Sequence, residues 1–394
     1  MASLKQTKPI NLYDSILSIP LIENMYYEVR LRTKHRSKIF NFETFYMSNI
    51  MNIYKTLLDK NYKHGNYNVF LVKEPKYRII MSENIHDKIV NHLLSEYILL
   101  PLIEPRLIYA NVATRRDKGL KVGLSFTKDY INKLKRKHDT FYILKCDIHK
   151  YFYSINHDIL LSKLRNIIPD EDIINMIKSI LSSTYQNSTN KEIKKLVTKE
   201  RKIIGDPSSP YLKKRIEELK GIPYYQEKKG IPIGNMSSQL FAIYYLNDLD
   251  HFIKERLHIK YYIRYMDDFI LMHPDKEYLK YCLQEITKKV EELDLKLNNK
   301  TKIISIKDGL NFLGYRFILK KKRLIVLLNQ ETKRRITYKL NKLNNHKPPN
   351  YQNVLASYKG YLLNASSTSF IKRHPWFKDM DMKRKKKEDK VVWY

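Results

Sequence analysis

Residues 262 to 272, Tyr-Ile-Arg-Tyr-Met-Asp-Asp-Phe-Ile-Leu-Met, set two adjacent carboxylates, Asp267 and Asp268, inside an apolar and aromatic run. Such a run predicts a buried strand, a tight turn and a second strand. Ionised carboxylates in that setting need a cationic partner, because burying them unpaired costs far more than packing returns. A divalent metal at the hairpin tip is the simplest partner. The competing reading is a turn whose Asp side chains bond their own backbone. A third carboxylate favours the metal: Asp147 follows the apolar run Phe141-Tyr-Ile-Leu144 and leads into Ile148-His-Lys-Tyr-Phe-Tyr153. A strand ending in Asp, beside a hairpin carrying Asp-Asp, can gather three carboxylates around two ions roughly 3.5–4 Å apart. That arrangement suits in-line displacement at phosphorus.

These segments resemble a known family. Tyr265-Met-Asp-Asp268 resembles the Tyr-x-Asp-Asp box of reverse transcriptases, and Lys145-Cys-Asp-Ile-His-Lys-Tyr-Phe152 resembles their first carboxylate motif. Gly230-Ile-Pro-Ile-Gly-Asn-Met-Ser-Ser-Gln-Leu-Phe-Ala242 resembles the template and nucleotide motif between them. The resemblance implies an α+β right-hand polymerase, with an antiparallel palm sheet carrying the catalytic hairpin and a helical thumb. Its expected division is an N-terminal helical basic extension (1–65), fingers (66–140), palm (141–318, with a polar insertion at about 186–229), thumb (319–372) and a basic tail (373–394). It also implies RNA-directed DNA synthesis with two Mg²⁺ ions, replaceable by Mn²⁺, held by Asp147, Asp267, Asp268 and the carbonyl of Ile148.

Composition agrees with a nucleic-acid partner. The 394 residues carry 74 Lys and Arg against 41 Asp and Glu, a net charge of +33. Such an excess attracts polyanions and predicts binding that weakens steeply with salt. The two cysteines, Cys146 and Cys282, show no metal-ligand spacing and require no disulfide. No signal-peptide pattern or bilayer-length apolar run is present, so the expectation is a cytoplasmic protein with no membrane contact.

Along the chain, the first 60 residues show helical periodicity around a basic stripe, Arg30 to Lys38. Residues 66 to 81 alternate as a β-hairpin with Glu74-Pro-Lys76 near its turn. Lys73, Lys76 and Arg78 there form a cationic comb suited to a triphosphate, and the resemblance assigns them to the incoming nucleotide. Arg115, Arg116 and Lys118 fall in a basic loop expected near the template. Phe152 falls where the family keeps a bulky residue under the sugar, which favours deoxynucleotides; a core aromatic is the competing reading. Asn156 suits the cap of a following helix. The stretch 186–229 is polar and Lys-rich, with Gly205 to Pro210 and Gly221-Ile-Pro223 as breakers and a helical piece from Tyr211 to Lys220.

In the motif at 230 to 242, many relatives have Pro-Gln-Gly where this chain has Pro232-Ile233-Gly234, followed by Gln239. Gln can hydrogen-bond near the incoming nucleotide and Ile cannot, so checking of the base pair should be looser. This pattern resembles bacterial reverse transcriptases of diversity-generating retroelements and of unassigned or antiviral-defence groups. The resemblance implies a lysine in this region that protonates the leaving pyrophosphate; of three nearby lysines Lys300 is the candidate, and a solvated surface loop is the competing reading. Phe312-Leu-Gly-Tyr315, with Leu313 and Gly314 at the turn, resembles the primer grip. Helices are expected at 331–345 and from 356, with Pro348-Pro349 between them and Lys383-Arg-Lys-Lys-Lys387 near the end.

Expected partners are a template RNA, in particular a dedicated noncoding RNA, a DNA or RNA primer and deoxynucleoside triphosphates. A small basic accessory protein or a second copy of the chain are further candidates. Two alternatives stay open: template-independent or protein-primed DNA synthesis in antiviral defence, and an RNA-binding scaffold that retains the polymerase fold.

Overall fold

A computed structural model describes residues 12–73, 76–185, 187–205, 209–321, 323–345 and 351–373. The Glu74-Pro75 turn, residues 206–208 of the expected breaker, Pro348-Pro349 and the lysine cluster at 383–387 lie outside the described residues.

Three helices come first: α1 (Ile19–Arg32), α2 (Arg36–Glu43) and α3 (Tyr46–Leu58). The hairpin β1 (Asn68–Val72) and β2 (Arg78–Ser82) follows in antiparallel register, Val72 opposite Arg78. Asn84 caps α4 (Ile85–Leu93), which continues through a π-helical turn at Leu94–Leu99 into α5 (Leu100–Ile103). Next are α6 (Leu120–Lys137), β3 (Tyr142–Asp147) and α7 (Tyr151–Ser154). Then come α8 (His157–Arg165), α9 (Glu171–Ser182), α10 (Asn187–Ile204) and α11 (Pro210–Lys220). As its residue type favours, Asn156 caps α8, accepting from the Asp158 and Ile159 amides.

The second half holds α12 (Met236–Tyr245), α13 (Asn247–His251), β4 (Tyr261–Tyr265), β5 (Asp268–His273), α14 (Lys276–Glu292) and β6 (Lys302–Ser305). After β7 (Leu310–Phe312), β8 (Tyr315–Lys320) and β9 (Arg323–Leu328) come α15 (Gln330–Asn345), α16 (Tyr351–Leu363) and α17 (Thr368–Lys372). The stretch expected to hold one helical piece contains two helices. Its longer one, α10, turns Ile193 and Glu200 inward, and a Glu at a buried position hides the apolar stripe from a sequence reading.

A four-stranded sheet in the order β4-β5-β3-β6 organises the molecule. Because side chains alternate along a strand, its two faces serve different cores. Leu144, Cys146, Phe269 and Leu271 pack into the large helical core with α12 and α14. Ile143, Ile263, Ile270 and Met272 face a second core shared with α6, the three-stranded sheet β7-β8-β9, α15 and α16. A third, smaller core joins the β1–β2 hairpin to α10 and α11 through Val69, Ile79, Met81, Ile193 and Leu219. No described helix is long and apolar enough to cross a membrane.

Candidate active site

Register brings the three carboxylates together. In the β3–β5 pairing Asp147 stands directly opposite Asp268, and Asp267 occupies the two-residue turn between β4 and β5. Met266, the other turn residue, has φ +57, a left-handed conformation that side chains other than Gly rarely adopt. That strain persists where its surroundings over-determine it. Here the buried Arg264 guanidinium donates through Nη1 to the Met266 carbonyl at 2.9 Å and through Nη2 to the Ile243 carbonyl at 2.8 Å. Arg264 is held in turn by Asp250, with Nε to Oδ1 at 2.7 Å and Nη2 to Oδ2 at 2.5 Å, while Tyr262 donates its hydroxyl to Asp250 at 2.7 Å.

The carboxylates repel one another and are half-buried. Burial, then the charge of Asp147, pushes Asp267 up to about 6, with Arg78 and Arg264 acting in the opposite direction. Burial likewise raises Asp268 to about 7, against the pull of Lys145. Asp147 is also raised by burial, opposed by Lys145, Lys300, Lys76 and His149. Asp268 Oδ1 is buried and has no hydrogen-bond partner among the described residues. No set of three or more His, Cys, Asp or Glu side chains among the described residues already converges as a closed metal cage. Even so, three hard oxygen donors whose pKa values are raised chiefly by burial, and one orphaned carboxylate oxygen, suit a hard divalent cation.

Lys145, two residues before Asp147 and on the same strand face, bridges this site to the next hairpin. Its Nζ lies 3.4 Å from Asp268 Oδ2 and donates to the Asn311 carbonyl at 3.0 Å. Phe312 and Tyr315 are buried opposite each other on either side of that hairpin's turn, which Leu313 and Gly314 make with φ +52 and +84. Lys300 is exposed on a segment fixed beside β3, where the Asn298 amide donates to the Asp147 carbonyl at 2.7 Å. The buried Ile148 pairs with Leu297 in the same segment.

The profile of the reverse transcriptase (RNA-dependent DNA polymerase) family matches residues 62–317, well over half of the chain. The chain belongs to the reverse transcriptase family. Its α+β architecture is accordingly that of a right-hand polymerase. No curated protein matches its sequence. Among solved structures, it is similar to apo telomerase from Candida tropicalis truncated from the C-terminal domain, at 14% identity and a TM-score of 0.44, over 67% of this chain and 55% of that one. It is also similar to telomerase from Candida albicans in complex with a fragment of telomeric RNA, at 14% identity and a TM-score of 0.41, over 74% of this chain and 50% of that one. The chain spans about half the length of those two structures.

Within this reverse transcriptase the remaining candidate residues separate. Lys76 and Arg78 lie within electrostatic reach of Asp147 and Asp267 respectively. Lys73 instead pairs with Glu200 of α10 at 2.6 Å. Phe152 is half-buried against the helical core, and its carbonyl accepts from the Ile231 amide at 2.8 Å. Ile233 is half-buried and its carbonyl accepts from the Met81 amide at 2.9 Å, which joins the 230–242 motif to β2. At Gly234, φ is +148 and an added Cβ would lie 2.2 Å from the Met81 carbonyl oxygen, so Gly is required for the close approach to β2. Gln239 is exposed on α12.

In the basic loop, Arg115 turns inward to Glu104 at 2.7 Å and to the Ile108 and Asn111 carbonyls. Arg116 is exposed beside Glu96, and the Lys118 ammonium sits 3.7 Å above the Tyr109 ring.

The sequence alone does not mark Arg264, Asp250, Lys145 or Glu200 as site residues. An Arg in the middle of an apolar strand was the visible signal for the first, and the two-residue strand period for Lys145.

Proposed function

We propose that the protein is an RNA-directed DNA polymerase that extends a primer 3′-hydroxyl with deoxynucleoside triphosphates on an RNA template. The observation that carries this reading is the juxtaposition of Asp147 with Asp268 across β3 and β5, with Asp267 in the adjoining turn. Asp147, Asp267, Asp268 and the Ile148 carbonyl would hold two Mg²⁺ ions, with Mn²⁺ as a substitute. Bound there, such ions lower the pKa of the attacking hydroxyl and neutralise the departing phosphates.

The chain's own residues supply the rest. Arg78 and Lys76, and Lys73 once it leaves Glu200, orient the triphosphate and offset its charge. Lys300 gives a proton to the leaving pyrophosphate. Phe152 excludes a ribose 2′-hydroxyl, Gln239 contributes a polar contact near the nucleotide, and Gly234 keeps the fingers strand against the 230–242 motif. Ile233 offers only an apolar contact beside the nascent pair, which supports low-fidelity copying. Phe312, Leu313, Gly314 and Tyr315 position the primer end, and Arg116 and Lys118, with Arg115 bracing their loop, face the template. Residues 66–140 serve as fingers, 141–318 as palm and 319–372 as thumb. Copying of a dedicated noncoding RNA, in a diversity-generating or antiviral-defence setting, is the biological role that fits this combination.

The test is extension of a DNA primer on a defined RNA template with each nucleotide type, followed by sequencing of the product. Templated, chelator-sensitive DNA synthesis with frequent misincorporation is expected. Products that ignore the template sequence, or that enter the organic phase with the protein, would replace this reading with untemplated or protein-primed synthesis.

A further inference from the structure

The helix α10 has two chemically opposite sides. Its inner side carries Thr189, Ile193 and Glu200 into the fingers hairpin. Glu200 accepts from the Tyr77 hydroxyl at 2.8 Å and pairs with Lys73 Nζ at 2.6 Å. From α11, the Arg215 guanidinium lies 3.6 Å above the Tyr77 ring and donates to the Lys73 carbonyl at 2.7 Å. The helix is therefore fixed to the hairpin on both sides of its turn.

Its outer side is a row of ammonium groups. Lys191, Lys195, Thr198 and Lys202 follow the i, i+4, i+7, i+11 spacing of one helix face, flanked by Lys194 and Lys199. From Lys191 to Lys202 the row runs about 16 Å at 1.5 Å per residue. Like charges at these spacings repel. On α11 and α14 such repulsion is relieved by acids one turn away: Lys220 pairs with Glu217, Lys280 with Glu277, Lys288 with Glu285 and Lys289 with Glu292, all within 2.9 Å. On α10, Lys195 has Glu192 at 3.5 Å, whereas Lys191, Lys194, Lys199 and Lys202 have no carboxylate partner among the described residues. The helix's other acid, Glu200, is the one buried against the hairpin.

We propose that this row is a docking ridge for the phosphate backbone of a helical RNA stem, separate from the carboxylate site. Repulsion left unrelieved on a rigidly anchored helix is relieved by a polyanion, with release of its counterions. The row is built of lysines and a threonine, without an aromatic on which an unstacked base could lie, so it suits backbone charge better than a single strand. The proposal rests on the reverse transcriptase reading only in naming RNA as the polyanion. It deepens that reading by giving the template RNA a second, non-copied contact.

The test compares a ridge variant, Lys191→Gln/Lys195→Gln/Lys199→Gln/Lys202→Gln, with an equally charged control, Lys220→Gln/Lys280→Gln/Lys288→Gln/Lys289→Gln. Affinity for an RNA hairpin, without primer or nucleotides, is measured across a salt series. Each phosphate contact contributes about 0.9 to the slope of log affinity against log salt. The ridge variant should lose about two to four from that slope and at least about tenfold in affinity near physiological salt, while the control keeps both. In the wild-type protein, bound hairpin should also protect the ridge lysines from acetylation and leave Lys280 and Lys288 reactive.

An unchanged slope in the ridge variant, an equal loss in the control, or an equal loss on an unstructured strand of the same length would each overturn the proposal. Primer extension does not enter this readout, so a protein that failed as a polymerase would still answer it.

Discussion

Arg264 and Asp250 form a bidentate ion pair in the fully buried floor beneath the Met266-Asp267 turn, and the same guanidinium donates to the Met266 carbonyl. Strain at Met266 and the placement of Asp267 thus depend on a charge pair that never meets solvent. Removing one partner of such a pair leaves an uncompensated buried charge and costs about 3–5 kcal/mol. Arg264→Met should therefore lower unfolding stability by that order. Adding Asp250→Asn should regain part of it, while turnover stays low because the Met266 carbonyl still lacks its donor. Denaturant unfolding and single-turnover extension of the wild type and both variants test this; full recovery of turnover in the double variant would contradict it.

The carboxylates make metal-free stability depend on pH. Asp267 and Asp268 sit at about 6 and 7 in the fold, above the ordinary 3.8. Raised folded values mean that the native state binds more protons than the unfolded chain between about pH 4 and 7. Stability in chelator should therefore fall as pH rises through that window. Asp268→Asn should raise the metal-free unfolding free energy at pH 8 by about 1–2 kcal/mol, a figure reduced for the solvent access the carboxylate retains, while abolishing activity. Thermal melts in chelator at several pH values check both. Mg²⁺ should flatten the wild-type profile and leave the variant's nearly unchanged.

Gly234 approaches β2 more closely than any Cβ allows. Gly234→Ala puts a methyl 2.2 Å from the Met81 oxygen at φ +148, so the seam between the hairpin and the 230–242 motif must separate. A loss of about 2–4 kcal/mol is expected from strain of this kind. Unfolding midpoints and protease sensitivity of the β1–β2 hairpin report it, and a wild-type midpoint would show that the seam yields freely.

Phe152 is expected to act on sugar choice and not on stability alone. Phe152→Val should lower the preference for deoxynucleotides over ribonucleotides by about 10–200-fold, the scale of small changes in an apolar contact. The ratio of kcat/KM for the two nucleotide types measures this. Equal losses with both would assign Phe152 to core packing.

Much of the site was legible because its chemistry is local in sequence. Asp267 and Asp268 adjoin each other in an apolar run, and Asp147 ends another, so strand periodicity alone predicted carboxylates at strand ends. What joins them was not legible. Asp250 and Arg264 are brought together by the turn from α13 into β4, and nothing in either segment names the other. Glu200 occupies a core position with a charged side chain, so the sequence of its helix shows a polar, Lys-rich stretch and no unbroken apolar stripe. Arg115 belongs in sequence to a basic loop, yet its direction depends on Glu104, eleven residues earlier, and on carbonyls that only the folded loop presents. Lys145 obeyed the two-residue period with Asp147, but its second partner, the Asn311 carbonyl, lies on a different sheet.

The most direct measurement is single-nucleotide incorporation on an RNA template by the wild-type protein beside Asp147→Asn and Asp268→Asn, with folding of each verified by circular dichroism. Mg²⁺-dependent templated incorporation by the wild type, reduced at least about a thousandfold in either variant, is the expected result. Undiminished incorporation in both folded variants would contradict the assignment of the reaction to the carboxylates that face each other across β3 and β5.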